Sequence, residues 1–391
     1  MRQPSDRLQR ALEPALSLVT AFLLGAVLIV ITDVEHLALL GTDPVAAIGG
    51  ALGGVVEGYW ALFAGALGDP GRIVTALQGG NAQDIAAAIR PLSETLLIAT
   101  PFIFAGLGLA VSFQAGLFNL GVDGQFGIGG LGAMVAAGMV AGRMPMLIGL
   151  AVAVAGGALA GAAYGFLPGL LKARTGAHEV ITTLMLNGVA GNLAYLIAGL
   201  AGLGMLPKDV PFVPRLLDLR TIRVDYGFVA ALLTAALVSA LLFRTTRGFE
   251  LRVTGHSATA ARTAGIRSGR VTMAAMTLSG GLVGMGAAFY GLGPALGVGG
   301  EAPMNLGFVA IVLALLARRR PGGVVLTAIL YGALTTGAKT MVTATGIPLA
   351  LLMVIITFAI ALLAAPGLVR RLWHLPGLTP DANPAAMATT L

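Results

Sequence analysis

The chain has 391 residues, of which 57% are hydrophobic and only 10% charged, and its mean hydropathy is +0.90. A soluble globular domain carries about 25% charged residues, so this composition excludes an ordinary water-exposed surface. The net charge of +7 is dispersed along the chain, which fits membrane topology better than nucleic-acid binding. The lack of cysteine excludes disulfides and thiolate metal sites.

Apolar runs near the length of a bilayer crossing predict about ten transmembrane helices, and hence an all-α integral membrane protein embedded in lipid. The runs lie near 15–32, 92–113, 125–142, 145–171, 179–203, 227–243, 271–293, 305–317, 321–339 and 347–365. The run at 305–317 is too short to cross unaided. The apolar stretch 44–68 is interrupted by glycines and Glu57, and we interpret it as a helix along the membrane surface.

Basic residues predict the orientation of these helices. With the N-terminus inside, most of the 24 lysines and arginines fall in cytoplasmic segments, as the positive-inside rule requires. The transmembrane domain then covers 15–371, between a cytoplasmic N-terminus at 1–14 and a cytoplasmic tail at 372–391. Within this domain, we expect 33–91 and 204–226 to be external and 244–270 to form the main cytoplasmic loop.

One predicted helix carries glycines at a spacing of four, which places them all on one face. These are Gly157, Gly161, Gly165 and Gly169. Lipid does not drive helices together as water does, so membrane helices associate through close packing at small residues. We expect this face to form a groove that receives a neighbouring backbone.

A short internal sequence repeat predicts where a transport path could lie. Phe118-Asn119-Leu120-Gly121 recurs as Met304-Asn305-Leu306-Gly307, and each copy opens a predicted span. The preceding spans run in opposite directions, which is the pattern of an inverted repeat whose broken helices meet at a transport site. Polar groups at this depth need partners or water. Candidate path residues are Asn119, Asp123, Gln125 and Asn305; the alternative is a role in helix capping or interhelical hydrogen bonding.

Several motifs suggest chemistry that their context does not support. Residues 127–132 match a dinucleotide-binding fingerprint, but they lie inside an apolar span with no preceding strand. Residues 332–340 approach a phosphate loop, with one residue too many before the lysine. If ATP drives this protein, another chain must bind it. The four histidines show no metal-ligand spacing, and the scarcity of acidic residues in the spans argues against a proton-coupled carrier.

The sequence resembles a known family in four blocks that together extend over roughly 90–370. They are ETLLIATPFIFAGLGLAVSFQAGLFNLGVDGQ at 94–125, HEVITTLMLN at 178–187, RGFELRVTGHSATAARTAGI at 247–266 and GFVAIVLALLARRRPGGVVLTAILYG at 307–332. These blocks are similar to permease subunits of the nucleoside and simple-sugar group of ABC importers, which is related to the branched-chain amino acid and ribose permeases. Asp123 stands where the family has glutamate, His178 where it has asparagine, and Arg318 to Arg320 replace a more polar stretch.

The resemblance implies a type II importer fold in the bacterial inner membrane, with both termini cytoplasmic. It implies cytoplasmic ATPase subunits that bind ATP and magnesium, so that this chain needs no cofactor of its own and is not an enzyme. It also implies an external substrate-binding protein and a second permease subunit, with an unlike subunit favoured over a second copy of this chain. The transported molecule is expected to be a nucleoside or related heterocycle, or otherwise a simple sugar. The alternatives are a self-sufficient secondary transporter or, less favoured, a membrane-embedded enzyme.

The cytoplasmic loop predicts a short helix that suits a docking role. Ser257 is a good N-cap, 258–264 can form two turns, and Gly265 is a favourable stop. So short a helix is marginal alone in water, and its alanines give a smooth face for a groove. The resemblance assigns this block to coupling with the ATPase, and the residues expected to serve it are Arg247, Gly255, Ser257, Ala260, Ala261, Arg262 and Gly265.

Overall fold

We describe the protein from a computed structural model, which describes residues 4–200, 213–214, 222–293 and 305–373. The predicted external loop 204–226 and the tail 372–391 therefore lie largely outside the described residues. Sixteen α-helices occur in the described part, and a single 3₁₀ turn follows the second of them at Leu39–Gly41. The helices are α1 (Pro4–Thr32), α2 (Val34–Ala38), α3 (Pro44–Leu67), α4 (Pro70–Gly79), α5 (Ala82–Gln114), α6 (Val122–Val140), α7 (Met146–Thr175), α8 (Glu179–Leu200), α9 (Tyr226–Arg244), α10 (Thr246–His256), α11 (Ala258–Thr263), α12 (Ser268–Gly291), α13 (Leu306–Leu316), α14 (Pro321–Thr345), α15 (Leu349–Ala364) and α16 (Pro366–Leu372).

The all-α membrane fold predicted from the sequence is confirmed, and each of the ten predicted spans contains a helix. Seven helices in the described part are long and apolar enough to cross a membrane, namely α1, α3, α5, α7, α9, α12 and α14. The shorter α13 and α15 are also apolar.

Helix α3 continues without a break across its glycines and Glu57. The stretch 44–68, interpreted from the sequence as a helix along the membrane surface, forms one helix of 24 residues, and its position relative to the membrane stays a prediction. Asp43 caps its start by accepting a hydrogen bond from the backbone N–H of Ala46, and Pro44 occupies the first turn, where its missing N–H costs nothing. Its length and composition are those of a membrane span.

The chain divides into two compact units, the first formed by residues 1–78 and 333–391 and the second by residues 79–332. In the first unit α1 packs against α3 and α15. Phe22 of α1 contacts the rings of Tyr59 and Phe63, and Trp373 donates to the hydroxyl of Thr20 at 2.9 Å. These contacts lie wholly within the first unit.

The second unit is built around α5, which is buried along almost all of residues 99–113. Helices α9, α12 and α13 pack against it, and the ring of Phe104 stacks on that of Phe289 with centroids 5.5 Å apart. Because α5 faces protein on all sides and not lipid, it is apolar around its whole circumference. It forms the core against which the candidate site is assembled.

The predicted glycine groove of α7 is confirmed, and its partner is α12. A methyl group on Gly161 would lie 2.3 Å from the carbonyl oxygen of Gly280, and one on Gly157 would lie 2.8 Å from that of Gly284. A methyl group on Gly165 would lie 2.5 Å from the carbonyl oxygen of Met276. Backbone therefore meets backbone along the α7–α12 pair, which only glycine permits.

Candidate functional site at the junction of α6 and α13

The first copy of the repeated motif lies in a segment without regular secondary structure between α5 and α6. Helix α5 ends at Gln114, Gly116 takes a positive φ of 72°, and residues 117–121 lead irregularly to the start of α6. Gly116 lies against the backbone of Gly255 in α10, where a methyl group on Gly255 would be only 2.2 Å from the carbonyl oxygen of Gln114. The loop 244–270 and this segment are therefore in direct backbone contact.

Asn119 and Gln125 are brought together with Ser279 of α12 in a buried polar network. The Asn119 amide donates to Gln125 Oε1 and to Ser279 Oγ, each at 3.0 Å. Its Oδ1 accepts from the backbone N–H of Gly121 at 2.9 Å. Asn119 and Ser279 are fully buried, and Gln125 nearly so. These groups hold the segment between α5 and α6 against α12, which is the interhelical hydrogen-bonding role that the sequence left open as an alternative.

Two further residues at this junction come from α8 and were missed by the sequence reasoning. Thr183 Oγ1 accepts from the backbone N–H of Leu120 at 3.1 Å, and Asn187 Oδ1 accepts from that of Gly124 at 2.9 Å. Asn187 also donates to the Leu120 carbonyl at 2.7 Å. Their spacing of four places them on one helix face, and that polar pair in an apolar span was the signal available in the sequence.

The starts of α6 and α13 meet through Asp123. Its Oδ1 accepts a hydrogen bond from the backbone N–H of Gly307 at 2.8 Å, so a side chain in the first turn of α6 caps the first turn of α13. Both helix N-termini favour a negative charge there. A methyl group on Gly307 would lie 2.7 Å from Asp123 Oδ2, so a residue larger than glycine at this position would overlap the carboxyl group. The two motif copies thus open helices whose first turns are in contact.

Asn305 stands apart from the other candidates. It precedes α13 in the left-handed region, with a φ of 58°, and its side chain makes no capping hydrogen bond. The residue is exposed. The structure brings Asn119 and Gln125 together, connects Asp123 to Gly307, and leaves the Asn305 side chain outside both sets of contacts. A path-lining role for these residues stays a prediction.

The loop 244–270, predicted to be cytoplasmic, contains two helices where one was predicted. Helix α10 is capped by Thr245, whose hydroxyl accepts from the Gly248 N–H at 3.1 Å. Helix α11 is capped by Ser257, which accepts from the Ala260 N–H at 3.2 Å, and Gly265 follows it with a φ of 77°. The predicted cap and stop of α11 are therefore confirmed.

Within α11 the exposed face differs from the one expected. Ala261 is fully buried, whereas Ala260 and Arg262 are exposed. Ala261 therefore anchors α11 to its own chain and does not belong to a surface available to a partner. Gly255 likewise serves close packing on α5, so the accessible part of the predicted docking block is Arg247, Ser257, Ala260, Arg262 and Gly265.

Comparison with known proteins identifies the family. Residues 92–364 match the family model described as "Branched-chain amino acid transport system / permease component". The chain belongs to this permease family. The matched region contains both motif copies, the α6–α13 junction and the loop 244–270, so the geometry described above lies within the part shared with the family.

Individual relatives of this permease are also informative. It is 34% identical to the guanosine ABC transporter permease protein NupP of Bacillus subtilis (strain 168), over 71% of this chain and 82% of that one. It is 28% identical to the nucleoside ABC transporter permease protein NupB of Lactococcus lactis, over 88% of each chain. The glucose ABC transporter permease protein TsgB13 of Haloferax volcanii is 30% identical over 72% of this chain and 77% of its own. These findings confirm a membrane subunit of an ABC importer, and they give no support to a self-sufficient secondary transporter.

Proposed function

We propose that this permease forms half of a translocation path for nucleosides or related heterocycles, gated at the α6–α13 junction. The observation that carries the proposal is the Asp123–Gly307 hydrogen bond, which joins two helix starts inside the apolar bundle. Broken helices are tolerated at membrane depth only where protein or a water-filled cavity satisfies their backbone. Among the described residues, one side-chain hydrogen bond joins the two helix starts, so they can separate with the loss of that bond.

The contact between the junction segment and α10 supports a route for energy coupling. Gly255 of α10 touches the backbone at Gln114 and Gly116, and the segment that begins there ends at Asn119 and α6. A displacement of the cytoplasmic loop would be passed to the junction through backbone contacts, because tightly packed backbone cannot absorb it by side-chain rotation. We infer that cytoplasmic ATPase subunits, which bind ATP and magnesium, drive this displacement.

The substrate class follows from the relatives. Two of them are named for guanosine or nucleoside transport, and this makes nucleosides the leading class. A glucose permease at 30% identity favours simple sugars as the second candidate. An external binding protein and a second permease subunit complete the proposed transporter, with this chain in the bacterial inner membrane and both its termini cytoplasmic.

Uptake assays test both the substrate and the gate. Cells that lack endogenous nucleoside uptake would express this chain with its partner subunits and receive labelled guanosine, uridine or glucose. We expect accumulation of the nucleosides. Asp123→Ala should reduce uptake by about tenfold or more, because the Gly307 N–H loses its partner inside the bundle, and Asp123→Asn should retain more activity because its amide oxygen can still accept.

A pair of glycine variants separates a gating effect from general damage. Gly307→Ala places a methyl group against the Asp123 carboxyl, whereas Gly127→Ala, in the same helix as Asp123, meets nothing within 4 Å. We expect the first to impair uptake and the second to leave it near wild type, with equal amounts of both proteins in the membrane. Normal uptake by Asp123→Ala and Gly307→Ala at normal protein levels would contradict the gate.

The coupling surface is tested at an exposed residue. Ala260→Glu changes the accessible face of α11, and it should weaken co-purification of the ATPase or uncouple ATP hydrolysis from uptake. The control is Ala82→Glu, which makes the same change at an exposed alanine in the first turn of α5. If Ala260→Glu bound the ATPase normally and transported at the original rate, α11 would not be the docking element.

A further inference from the structure

The first turns of α6 and α13 both lack the side-chain cap that a helix start ordinarily receives from its own N-cap residue. Gly121 precedes α6 and has no side chain, and Asn305 precedes α13 without a capping hydrogen bond. The first backbone N–H groups of a helix have no partner within the helix, and an N-cap side chain normally accepts from the second or third of them. In both helices this acceptor comes from another helix.

Asn187 of α8 supplies the acceptor for α6. Its Oδ1 accepts from the N–H of Gly124, the third residue of α6, at 2.9 Å, and its Nδ2 donates to the carbonyl of Leu120 at 2.7 Å. Gly124 permits this approach, since a methyl group there would lie 3.0 Å from Asn187 Oδ1 and 3.0 Å from the Cβ of Ala190. One amide of α8 therefore holds both sides of the turn that begins α6.

Asp123 supplies the acceptor for α13 and lies next to Gly124 in the first turn of α6. Its carboxylate accepts from the N–H of Gly307, the second residue of α13. The three helices are thus linked in order, from α8 to α6 through Asn187 and from α6 to α13 through Asp123. The side-chain hydrogen bonds described for Asn187 end at residues around the start of α6, and α13 is reached from there.

Helix α8 is itself fastened to α7, so Asn187 is a fixed support for α6. Tyr164 of α7 donates to the carbonyl of Leu186, the residue before Asn187, at 2.7 Å. Lys172, near the end of α7, forms an ion pair with Glu179 at the start of α8. A support that is held at two points along α8 determines the direction in which the first turn of α6 faces.

We propose that Asn187 is a positioning residue for the gate, and that α8 controls the α6–α13 junction through it. By fixing the first turn of α6, Asn187 directs the Asp123 carboxylate toward the Gly307 N–H. The role in transport rests on the gate proposed at the α6–α13 junction. The link between Asn187 and Gly307 is a property of the folded chain and can be measured without transport.

Hydrogen–deuterium exchange on the full-length chain in nanodiscs, resolved to single amides, measures that link. Exchange of a backbone amide reports the free energy of the local opening that frees it. Asn187→Ala should speed exchange at Gly124, which loses its acceptor, and by about threefold or more at Gly307, whose acceptor is no longer directed. Asp123→Ala should speed exchange at Gly307 by about tenfold, as expected for the loss of a hydrogen bond to a charged group, and leave Gly124 protected.

Asn192→Ala is the matched control. It makes the same substitution in α8, at an exposed asparagine whose Nδ2 donates within the helix to the Gly188 carbonyl, and it should leave both amides at the wild-type rate. Gly124→Ala is the milder variant if Asn187→Ala does not fold, because its methyl group crowds Asn187 Oδ1 and removes no side chain. It should also speed exchange at Gly307. Wild-type exchange at Gly307 in Asn187→Ala, or in Gly124→Ala where that variant takes its place, overturns the proposal.

Nucleoside uptake then tests the route by which Asn187 acts. If it acts through Asp123, Asn187→Ala and Asp123→Ala each reduce uptake, and the double variant transports no more slowly than Asp123→Ala alone. Losses that multiply in the double variant would show that Asn187 affects transport by another route, and the positioning role would be overturned. Faster exchange at Gly307 in Asn187→Ala, combined with normal uptake in Asp123→Ala, supports the link between the helices and counts against the gate alone.

Discussion

Substitution of Gly161 by alanine tests the backbone contact between α7 and α12. The added methyl group would lie 2.3 Å from the Gly280 carbonyl oxygen and 2.9 Å from Gly284 Cα, whereas ordinary contacts begin at 3.4 Å. Because both obstacles are backbone atoms, no side-chain rotation relieves the overlap, and the two helices must separate by about 1 Å. Overpacking of this kind costs about 1–3 kcal/mol.

The matched control is Gly188→Ala in α8. Gly188 is exposed and a methyl group there meets nothing within 4 Å. Both substitutions gain the same helix propensity of about 1 kcal/mol. The difference in stability between the two variants therefore reports the overlap with α12 alone. Thermal unfolding in detergent, followed by circular dichroism, should show a midpoint several degrees lower for Gly161→Ala than for Gly188→Ala. An equal or higher midpoint for Gly161→Ala would refute the close α7–α12 contact.

Three further predictions concern pH, topology and backbone strain. Burial raises the pKa of Asp225, at the start of α9, to about 7 from 3.8; ionisation therefore destabilises the fold, stability falls as pH rises from about 4 to 7, and Asp225→Asn should raise the unfolding midpoint at pH 8 but little at pH 4. An equal effect at both values would exclude this carboxyl as the cause. Thr42 and Asp69 flank α3, and each can be replaced by a single cysteine. If α3 spans the membrane, an impermeant thiol reagent should label only one of these cysteines in intact cells. Labelling of both would show that α3 lies along the outer surface. Asn305→Gly should relieve the left-handed backbone and raise stability relative to Asn305→Ala by about 1 kcal/mol in chemical unfolding, and equal stability would show that this conformation carries no strain.

The sequence alone gave much of the membrane architecture. Each of the ten apolar runs contains a helix, because lipid demands a continuous apolar stretch for each crossing. The spacing of Gly157 and Gly161 gave the contact face of α7, since a period of four in a helix fixes a side without knowledge of the partner. The cap at Ser257 and the stop at Gly265 are likewise local, and they were predictable for that reason.

The interpretation of α3 as a surface helix stays a prediction, whereas one residue of the face expected for α11, Ala261, is buried. Glycines and Glu57 resemble interruptions in a hydropathy pattern, but small residues are also what a packed membrane helix requires. The exposed face of α11 could not be chosen from its alanines, because alanine is equally suited to a core and to a surface. Burial of Ala261 and exposure of Ala260 depend on the position of α11 against its own bundle.

The sequence by itself determined which segments are helices, and the echo of Asn119 and Asn305 suggested that two of them start at related places. Only the tertiary structure decided that Asp123 of one helix caps Gly307 of the other, and that Thr183 and Asn187 hold the segment between α5 and α6. Helix formation depends on neighbours a few residues apart, so the local sequence predicts it. A hydrogen bond between residues 184 positions apart depends on how the whole bundle packs, and no local pattern records that.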